Sequence, residues 1–530
     1  MKKGNFLLML HAHLPYVRHP DYPDFLEERW LFEAITETYI PLIKMFRSLE
    51  NENIKFKLAI SITPTLSEML SDEDLQNKYI SHMNKLIELS EKEIIKTEKE
   101  NVQKFKTAKF YNSHFKEILH IYSDLYSRNI LKAFKEFQEK GYIEVVTCSG
   151  THGFLPFMKN HPEAVRAQIK VGVETYKKNF GKSPNGIWLA ECAYSRGFDR
   201  ILKSEGINYF FTDSHALWYS ETPAHYGVYY PVITPGGDFV FARDPESSEQ
   251  VWSSVIGYPG DSRYREFYRD IGFDRDFEYI KDYIDKSGTR CNTGIKYYKI
   301  TDKTLPAERK DFYDINEAYE VARNHAKDFV LKKEFQVKKL TNIFDDIIPL
   351  ITAPFDAELY GHWWYEGPVF LESLFREIAK SEIIESVLPS EIINSLETVQ
   401  VLEPADSTWG ANGFNEVWLN EKNDWIYRHL NHIASQMHKK ATEYKNPSEL
   451  EKRVLNQMAR EVLLSQASDW PFIMTTGTTV DYAVNRIDNH INRFFKLEKM
   501  LDSNKIDTEE LSHIEWIDKI FNDIDFNIYS

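Results

Sequence analysis

The chain has 530 residues, 42% of them hydrophobic and 28% charged, so it is long enough for a large core and is not a disordered chain. Its 65 Lys and Arg residues stand against 81 Asp and Glu residues, a net charge of −16, which disfavours nucleic acid or an anionic membrane surface as a partner. The three scattered cysteines fit neither a disulfide framework nor a zinc-binding spacing, and they indicate a reducing compartment.

The amino-terminal 70 residues predict a strand, a helix and a second strand. Apolar runs at residues 5–10 and 54–62 are the two predicted strands. The first run is too short for a signal peptide and no cleavage site follows it. The chain also has no run of about 20 apolar residues, so the sequence predicts no membrane span.

The composition changes between residues 72 and 140. Lys and Glu dominate there, and the apolar residues between them recur at helical spacing. This pattern predicts long exposed helices, which we interpret as an insertion.

Short apolar runs return after residue 140, and helical patterns lie between most of them. Because buried strands that alternate with helices are typical of a parallel sheet, these runs predict such a sheet, open or closed. The predicted strands are at residues 143–147, 186–189, 207–211 and 347–352.

Helical patterns dominate after about residue 375, where strand signals fade. Residues 448–467 and 479–501 predict two helices. Ser448 with Glu451 three residues later fits a capping box at the start of the first. The sequence therefore predicts a helical carboxy-terminal region.

Ionisable side chains directly follow several predicted strands. In a β/α barrel the carboxyl ends of the strands form one rim, and the active site lies on that rim. The residues at these positions are His11, His13, His152, Glu191, Asp213 and Asp356.

Each of these groups also has an alternative interpretation. His11 and His13 could bind a metal, hydrogen-bond a ligand or close a polar core. Glu191 follows an apolar strand, where an unpaired carboxylate is costly, and a salt bridge to Arg196 or Arg200 is the alternative to a functional role. Cys192 next to it could be a nucleophile, but no histidine partner is evident.

The densest signal begins at Asp356. Three carboxylates, one histidine and four aromatic residues occupy the eleven positions 356–366. Aromatic faces that stack on sugar rings, together with carboxylates that act on the acetal, suit a carbohydrate substrate, whereas a packed barrel lid would not need so many acids. Trp409 lies in a Gly- and Asn-rich loop and could stack on a ligand, while Trp418 could equally belong to the core. Asp469 could be a turn residue or could reach the cleft.

Five short motifs, taken in order, resemble glycoside hydrolase family 57. They cover residues 11–15, 153–156, 188–194, 355–367 and 406–418. Each motif alone is weak, but their order along almost the whole chain is specific. Within the family, the chain is most similar to the 1,4-α-glucan branching enzymes and the related α-amylase-type members.

This resemblance implies a fold and a domain organisation. The expected fold is an incomplete (β/α)7 TIM-like barrel with a helical insertion and an α-helical carboxy-terminal domain. We expect the catalytic barrel at residues 1–375, the insertion within it at residues 72–140, and the carboxy-terminal domain, which closes the cleft, at residues 376–530.

The resemblance also implies residue roles. Glu191 would be the nucleophile and Asp356 the general acid/base. Tyr226, in the loop of residues 220–231, would act in chain transfer, with an exposed loop residue as the alternative. The residues expected to contact substrate are His11, His13, Trp30, His152, Trp363, Trp409, Trp418 and Asp469.

The implied activity is retaining cleavage of an α-1,4-glucan followed by transfer of the chain to a glucan 6-hydroxyl, without a cofactor or a metal. An α-amylase-type hydrolase and a 4-α-glucanotransferase of the same family are alternatives. A zinc amidohydrolase or deacetylase is the alternative from another class, because a His-x-His motif and further strand-end ligands also suit a metal. A glucan-binding protein without catalytic activity is a further alternative. We expect a cytoplasmic monomer or small homo-oligomer.

Overall fold

A curled sheet of nine strands forms the centre of the protein in the computed structural model, which describes residues 3–253, 256–302 and 304–530. The strands are β1 (Gly4–Ala12), β2 (Leu58–Ile62), β3 (Ile143–Cys148), β4 (Gly186–Trp188), β5 (Tyr209–Thr212), β6 (Val232–Ile233), β7 (Phe239–Ala242), β8 (Leu350–Asp356) and β9 (Ile384–Ser386). Their buried, apolar character follows from helices that cover the sheet.

The strand order is β6-β7-β5-β4-β3-β2-β1-β8, with β9 paired to β1. Seven strands of this path run parallel, and β6 alone is antiparallel to its neighbour. Main-chain hydrogen bonds from Leu350 to Tyr229 and from Asp244 to Thr352, both 2.8 Å, join β8 to the far side of the sheet. The architecture is the expected incomplete (β/α)7 barrel.

Helices follow most strands and cover the outside of the sheet. Up to residue 395 they are α1 (Glu28–Ala34), α2 (Ile40–Asn51), α3 (Pro64–Ser71), α4 (Glu73–Glu100), α5 (Val102–His120), α6 (Leu131–Glu139), α7 (Pro162–Phe180), α8 (Phe198–Ser204), α9 (His215–Trp218), α10 (Pro245–Trp252), α11 (Ile271–Asp274), α12 (Phe277–Ile280), α13 (Ile315–Ile343), α14 (Gly367–Lys380) and α15 (Pro389–Ser395). A π-helical turn, Ile35–Tyr39, joins α1 to α2.

The Lys- and Glu-rich stretch forms the long helices α4 and α5, as its pattern predicts. The chain between β7 and α13 packs against them, which the sequence did not indicate. Arg275 bonds Glu93 at 2.7 Å and Glu100 at 3.0 Å, and the Tyr297 hydroxyl donates to Glu93 at 2.8 Å. These contacts fix a segment with little regular structure against the helices.

The carboxy-terminal region is helical, as predicted. Its helices are α16 (Trp425–Glu443), α17 (Glu449–Ser465), α18 (Asp469–Thr476), α19 (Val480–Asp502) and α20 (Thr508–Ile517). The capping box of Ser448 and Glu451 at the start of α17 is confirmed. The Ser468 main-chain N–H donates to the His152 carbonyl at 2.9 Å, so this region contacts the barrel rim directly.

Strand β9 was not predicted, because three residues are too few to show a pattern. It pairs with the first residues of β1, so residues beyond 375 also form part of the sheet. The division into three domains with the stated boundaries stays a prediction. Nowhere in the described residues does a helix have the length and apolar character to cross a membrane.

Candidate active site

The carboxyl end of β1 supplies two histidines to the rim. His11 pairs in register with Ser61 on β2 and with Asp356 on β8, so the three residues lie side by side across the sheet. Its ring nitrogens lie 3.2 Å from the Ser61 hydroxyl and 2.9 Å from His152 Nε2. His13 stacks on His152 with ring centroids 3.7 Å apart. The strand-end histidines therefore form one buried cluster.

A chain of hydrogen bonds leads from β2 to Glu191. The distances between successive partners run from 2.7 to 3.2 Å, and one assignment of the protons satisfies all of them. Ser61 donates to His11 Nδ1, His11 Nε2 to His152 Nε2, His152 Nδ1 to Ser468 Oγ, and Ser468 Oγ to Glu191 Oε1. Burial lowers the pKa of His11 and of His152, which keeps both rings neutral as this assignment requires.

His13 has a different charge state. Its Nδ1 lies 3.1 Å from the Thr63 hydroxyl and its Nε2 lies 3.0 Å from Asp469. Burial lowers the pKa of His13, but the charge and hydrogen bond of Asp469, with Glu358 and Glu191 adding to it, outweigh burial, so the pKa is raised. His13 therefore tends to carry a positive charge among carboxylates.

Glu191 lies in a strained turn directly after β4. Its φ is 60° and that of Cys192 is 54°, and His152 on the neighbouring turn has a φ of 58°, values that side chains other than glycine seldom adopt. Its Oε1 accepts from Ser468 at 2.8 Å and its Oε2 from Trp409 Nε1 at 2.9 Å. Two donors thus hold the Glu191 carboxylate in one orientation.

Asp356 ends β8, and its carboxyl group accepts no hydrogen bond from the described residues. Burial raises the pKa of Asp356 to about 8, and the nearby charges of Glu358 and Glu191 add to this, while His13 and Arg243 oppose it. At neutral pH this carboxyl group carries a proton.

Burial also raises the pKa of Glu191, and the hydrogen bonds from Trp409 and Ser468 limit that rise because they favour the ionised form. The rim therefore combines a carboxylate held by two donors with a protonated acid, Asp356, which is the pair that general acid catalysis with a nucleophile requires.

Glu358 is a third carboxylate at the rim. Its Oε1 accepts the Tyr39 hydroxyl at 2.5 Å and the His13 main-chain N–H at 3.2 Å. The π-helical turn between α1 and α2 places Tyr39, which is buried, against it. The sequence showed this residue only as one of the acids after Asp356.

Comparison with known proteins identifies the family. Residues 7–342 match the model described as Glycosyl hydrolase family 57. The chain belongs to this family. Residues 429–529 match a second model, described as 1,4-alpha-glucan branching enzyme, C-terminal. A 1,4-alpha-glucan branching enzyme of Thermococcus kodakarensis is 33% identical over 94% of this chain and 74% of its own length.

Two solved structures have the same fold over nearly the whole chain. The alpha-amylase AmyC from Thermotoga maritima is 55% identical, with a TM-score of 0.94 and 99% of both chains covered. The branching enzyme from Thermococcus kodakaraensis, solved with glucose and additives, is 32% identical, with a TM-score of 0.89 and 99% of this chain and 96% of that chain covered. The two relatives carry different activity names.

The aromatic residues expected to contact substrate differ in their surroundings. Trp409 bonds Glu191, and Trp363 is 54% exposed and stacks on Phe267 with centroids 4.6 Å apart. Trp418 is buried, and its ring stacks on that of Phe154 with centroids 4.8 Å apart. It therefore packs beneath the surface of the site and does not form that surface. Trp30 is half-buried, edge-on to Tyr482. Trp409 is the tryptophan of this set that contacts a catalytic candidate directly.

Tyr226 does not lie with the carboxylates. Its hydroxyl donates to Asp346 at 2.5 Å and its ring packs against Phe344, both of which precede β8. Asp356 is at the opposite end of that strand, and a seven-residue strand spans roughly 20 Å. The chain after β5 returns toward the amino end of the sheet before the antiparallel strand β6. This placement gives no support to the transfer role predicted for Tyr226.

The sequence also missed a charged pair beside the site. Arg243, just after β7, lies 3.1 Å from Asp213, and its guanidinium is 6.0 Å from the Trp409 ring centroid. With Ser248 and the half-exposed Trp252, this pair lines an open depression of about 340 Å³. Asp213 was noted at its strand end, but nothing in the sequence connected it to Arg243, thirty residues later.

The donor set argues against a metal centre at the histidines. His13, His152 and Asp469 have ligand atoms within 4.8 Å of one another. However, every ring nitrogen of His11, His13 and His152 already faces a protein donor or acceptor at hydrogen-bond distance. The arrangement of the three histidines therefore fits a hydrogen-bond network.

Proposed function

We propose that this family 57 chain is a 1,4-α-glucan branching enzyme, with Glu191 as nucleophile and Asp356 as general acid/base. The observation that carries the catalytic part is the pairing of a carboxylate held by two donors with a carboxyl group whose pKa is raised to about 8. The match of residues 429–529 to the branching enzyme carboxy-terminal region supports the transferase part.

The first half-reaction follows from these two groups. A Glu191 oxygen attacks the anomeric carbon as the α-1,4 bond breaks, and the Asp356 proton moves to the leaving oxygen. The products are a glycosyl ester on Glu191, an ionised Asp356 and a shortened glucan. A retaining pair of this kind stands roughly 5–5.5 Å apart. The hydrogen bonds from Trp409 and Ser468 restrict Glu191 to the orientation this attack requires.

The second half-reaction decides the product. Asp356, now ionised, takes a proton from the attacking hydroxyl, whose oxygen displaces Glu191 from the anomeric carbon. A glucan 6-hydroxyl gives an α-1,6 branch, whereas water gives a reducing end. Because water is abundant, a branching enzyme has to exclude it and hold an acceptor chain. Exposed Trp363 and the depression at Arg243 and Trp252 offer surfaces for glucan.

An α-amylase-type hydrolase is the second candidate, and two observations favour it. The relative with 55% identity is named an alpha-amylase. In addition, the loop that carries Tyr226 lies away from the rim, so it does not cover the site against water. We place the enzyme in the cytoplasm, which its three free, buried cysteines support.

Incubation of the purified protein with amylose tests the proposal. Proton NMR counts α-1,6 linkages and a reducing-end assay counts hydrolysis in the same sample. Branch points well above new reducing ends are the expected result. Reducing ends without branches would establish the hydrolase instead. The Glu191→Gln protein, prepared identically, controls for contaminating activity, and absence of both products from the wild-type protein would contradict either candidate.

A further inference from the structure

The proposed mechanism leaves unused a carboxylate that lies two residues after its general acid/base. Glu358 is 9% exposed, and its Oε1 accepts the Tyr39 hydroxyl and the His13 main-chain N–H. Both donors belong to packed elements, since Tyr39 is buried in the turn between α1 and α2 and His13 directly follows β1. The position of the Glu358 carboxylate beside Asp356 is therefore fixed from two sides.

These contacts decide which of the two carboxyl groups holds the proton. Burial raises the pKa of Glu358, and the bonds from Tyr39 and His13 oppose that rise because they favour the ionised form. Asp356 has no such donor, and its pKa is raised to about 8 by burial, by Glu358 and by Glu191. His13 and Arg243 face Asp356 with the opposite effect. The pKa of Glu358 is still raised on balance, but its two donors favour the negative charge on Glu358 and leave the proton to Asp356.

The two charges that act on Asp356 differ in how long they last. When Glu191 forms the glycosyl ester it becomes neutral, so its repulsion of a charged Asp356 ends. At that moment Asp356 has given up its proton and has to act as a base. Glu358 forms no bond in either half-reaction and stays ionised throughout. Of the two carboxylates that raise the basicity of Asp356, Glu358 alone persists in the second half-reaction.

We propose that Glu358 is a positioning residue whose permanent charge, fixed by Tyr39 and His13, keeps Asp356 a strong enough base to deprotonate the acceptor hydroxyl in the glycosyl-enzyme. This inference rests on the proposed double displacement, but it applies equally whether the acceptor is a glucan hydroxyl or water. It assigns to the acid two positions after Asp356 a function separate from substrate contact.

Infrared titration of the Glu191→Gln protein tests the charge argument without turnover. This variant removes the nucleophile's charge, as the glycosyl ester does, and leaves Glu358 untouched. The protonated carboxyl band of Asp356 is assigned by its loss in a Glu191→Gln, Asp356→Asn double variant. When Glu358→Gln is added to the Glu191→Gln protein, we expect the Asp356 titration midpoint to fall by about one unit or more, because the remaining like charge is then lost while burial is unchanged. An unmoved midpoint would overturn the proposal, because burial alone would then account for the raised pKa of Asp356.

The pH profile of Glu358→Gln gives a second, independent readout. Loss of the charge lowers the pKa of Asp356, so the alkaline limb of kcat/KM moves to lower pH by about one unit or more. A weaker base also slows the second half-reaction, and glycosyl-enzyme accumulates in the pre-steady state. Glu358→Asp, which keeps the charge, restores the alkaline limb. A uniform loss of rate at every pH, with an unmoved limb, would mean that Glu358 only supports the fold.

Tyr39→Phe is the matched control for the hydrogen bond. It removes one donor to Glu358 and keeps all the carboxylates, so the alkaline limb moves less than in Glu358→Gln. The rate is measured as loss of α-1,4 linkages, which counts branching and hydrolysis alike. Failure of the branching proposal therefore leaves these profiles interpretable. Should Glu358→Gln not fold, the infrared titration is made with Tyr39→Phe in the Glu191→Gln background, where a smaller fall of the Asp356 midpoint is expected.

Discussion

The chain buries two clusters of histidine and carboxylate side chains, one at the barrel rim and one among the carboxy-terminal helices. In the second, His490 lies 2.7 Å from Glu461, and Asp518 bonds Arg493 at 2.5 Å with Arg486 3.8 Å away. The side chains of His490, Glu461 and Asp518 are fully buried. Residue types alone do not separate this cluster from the one at the rim.

The difference lies in charge balance and access. Two arginines stand beside the two carboxylates of the helical cluster. At the rim, carboxylates outnumber cations, Glu191 and Asp469 remain 12% and 15% exposed, and the Asp356 carboxyl is without a hydrogen bond from the described residues. In the helical cluster each carboxylate accepts a hydrogen bond, Glu461 from Gln457 and Asp518 from Arg493. Such a network holds the fold together, whereas one that leaves a carboxyl group without a donor beside a cleft can act on a ligand.

The largest effect that separates the clusters is expected from removing the nucleophile. Glu191→Gln abolishes the attacking carboxylate, so cleavage of amylose falls by at least about 10³-fold. The measurement is the initial loss of α-1,4 linkages per folded molecule. Glu461→Gln is the matched change in the helical cluster and leaves this rate within about twofold. Equal losses in the two variants would mean that the rim has no special role.

Breaking the helical cluster is expected to lower stability instead. Asp518→Asn leaves Arg493 and Arg486 without their buried counter-charge, which costs about 3 kcal/mol of the free energy of unfolding. Urea unfolding followed by circular dichroism measures this loss. The rate per folded molecule should remain that of the wild type. A stable Asp518→Asn protein would show that the arginines find other partners.

A smaller effect on rate is expected from loosening the nucleophile. Trp409→Phe removes the indole donor to Glu191 Oε2 and keeps an aromatic ring, so kcat/KM falls by about tenfold, which corresponds to one hydrogen bond to a charged group. Trp470→Phe is the control, because its indole donates to the Leu464 carbonyl and not to Glu191. Loss of rate in the control alone would contradict the role given to Trp409.

The strand-end rule explains how much of the site could be predicted. His11, His152, Glu191 and Asp356 each follow a strand, and parallel strands bring their carboxyl ends to one rim. Asp469 and the helical carboxy-terminal region were also anticipated. For these elements the local pattern is sufficient, because a residue at the carboxyl end of a parallel strand lies at the same rim as the other strand ends.

The missed residues depend on contacts between distant parts of the chain. Ser468 reaches Glu191 across 277 positions, and Tyr39 reaches Glu358 across 319. No local pattern encodes such pairs, although the Ser-Asp-Trp-Pro-Phe stretch did mark the neighbourhood of Ser468. The surroundings of Tyr226 could not be predicted for a related reason: the antiparallel strand β6 takes its loop toward the amino end of the sheet, and a two-residue strand leaves no sequence pattern. The transfer role of Tyr226 stays a prediction.

The smallest effect concerns the stability of the unpaired acid. An aspartate has an ordinary pKa near 3.9, and that of Asp356 is raised to about 8 in the folded protein, so the fold binds a proton that the unfolded chain releases. The contribution of Asp356 to stability is therefore complete below about pH 4 and is lost as the pH rises toward 8. Asparagine has no proton to lose, so Asp356→Asn should be inactive yet more stable than the wild type above pH 4.

The gain should grow with pH and reach roughly 1–2 kcal/mol near pH 8, because partial exposure to cleft water reduces the effect of burial. Urea unfolding of both proteins at pH 5 and pH 8 measures it. An equal difference at the two pH values would mean that the gain comes from packing and not from the proton. Burial raises the pKa of Asp518 as well, but this carboxylate has Arg493 and Arg486 as counter-charges, so we expect Asp518→Asn to lower stability instead. The sign of the stability change thus separates an acid kept for chemistry from one kept for the fold.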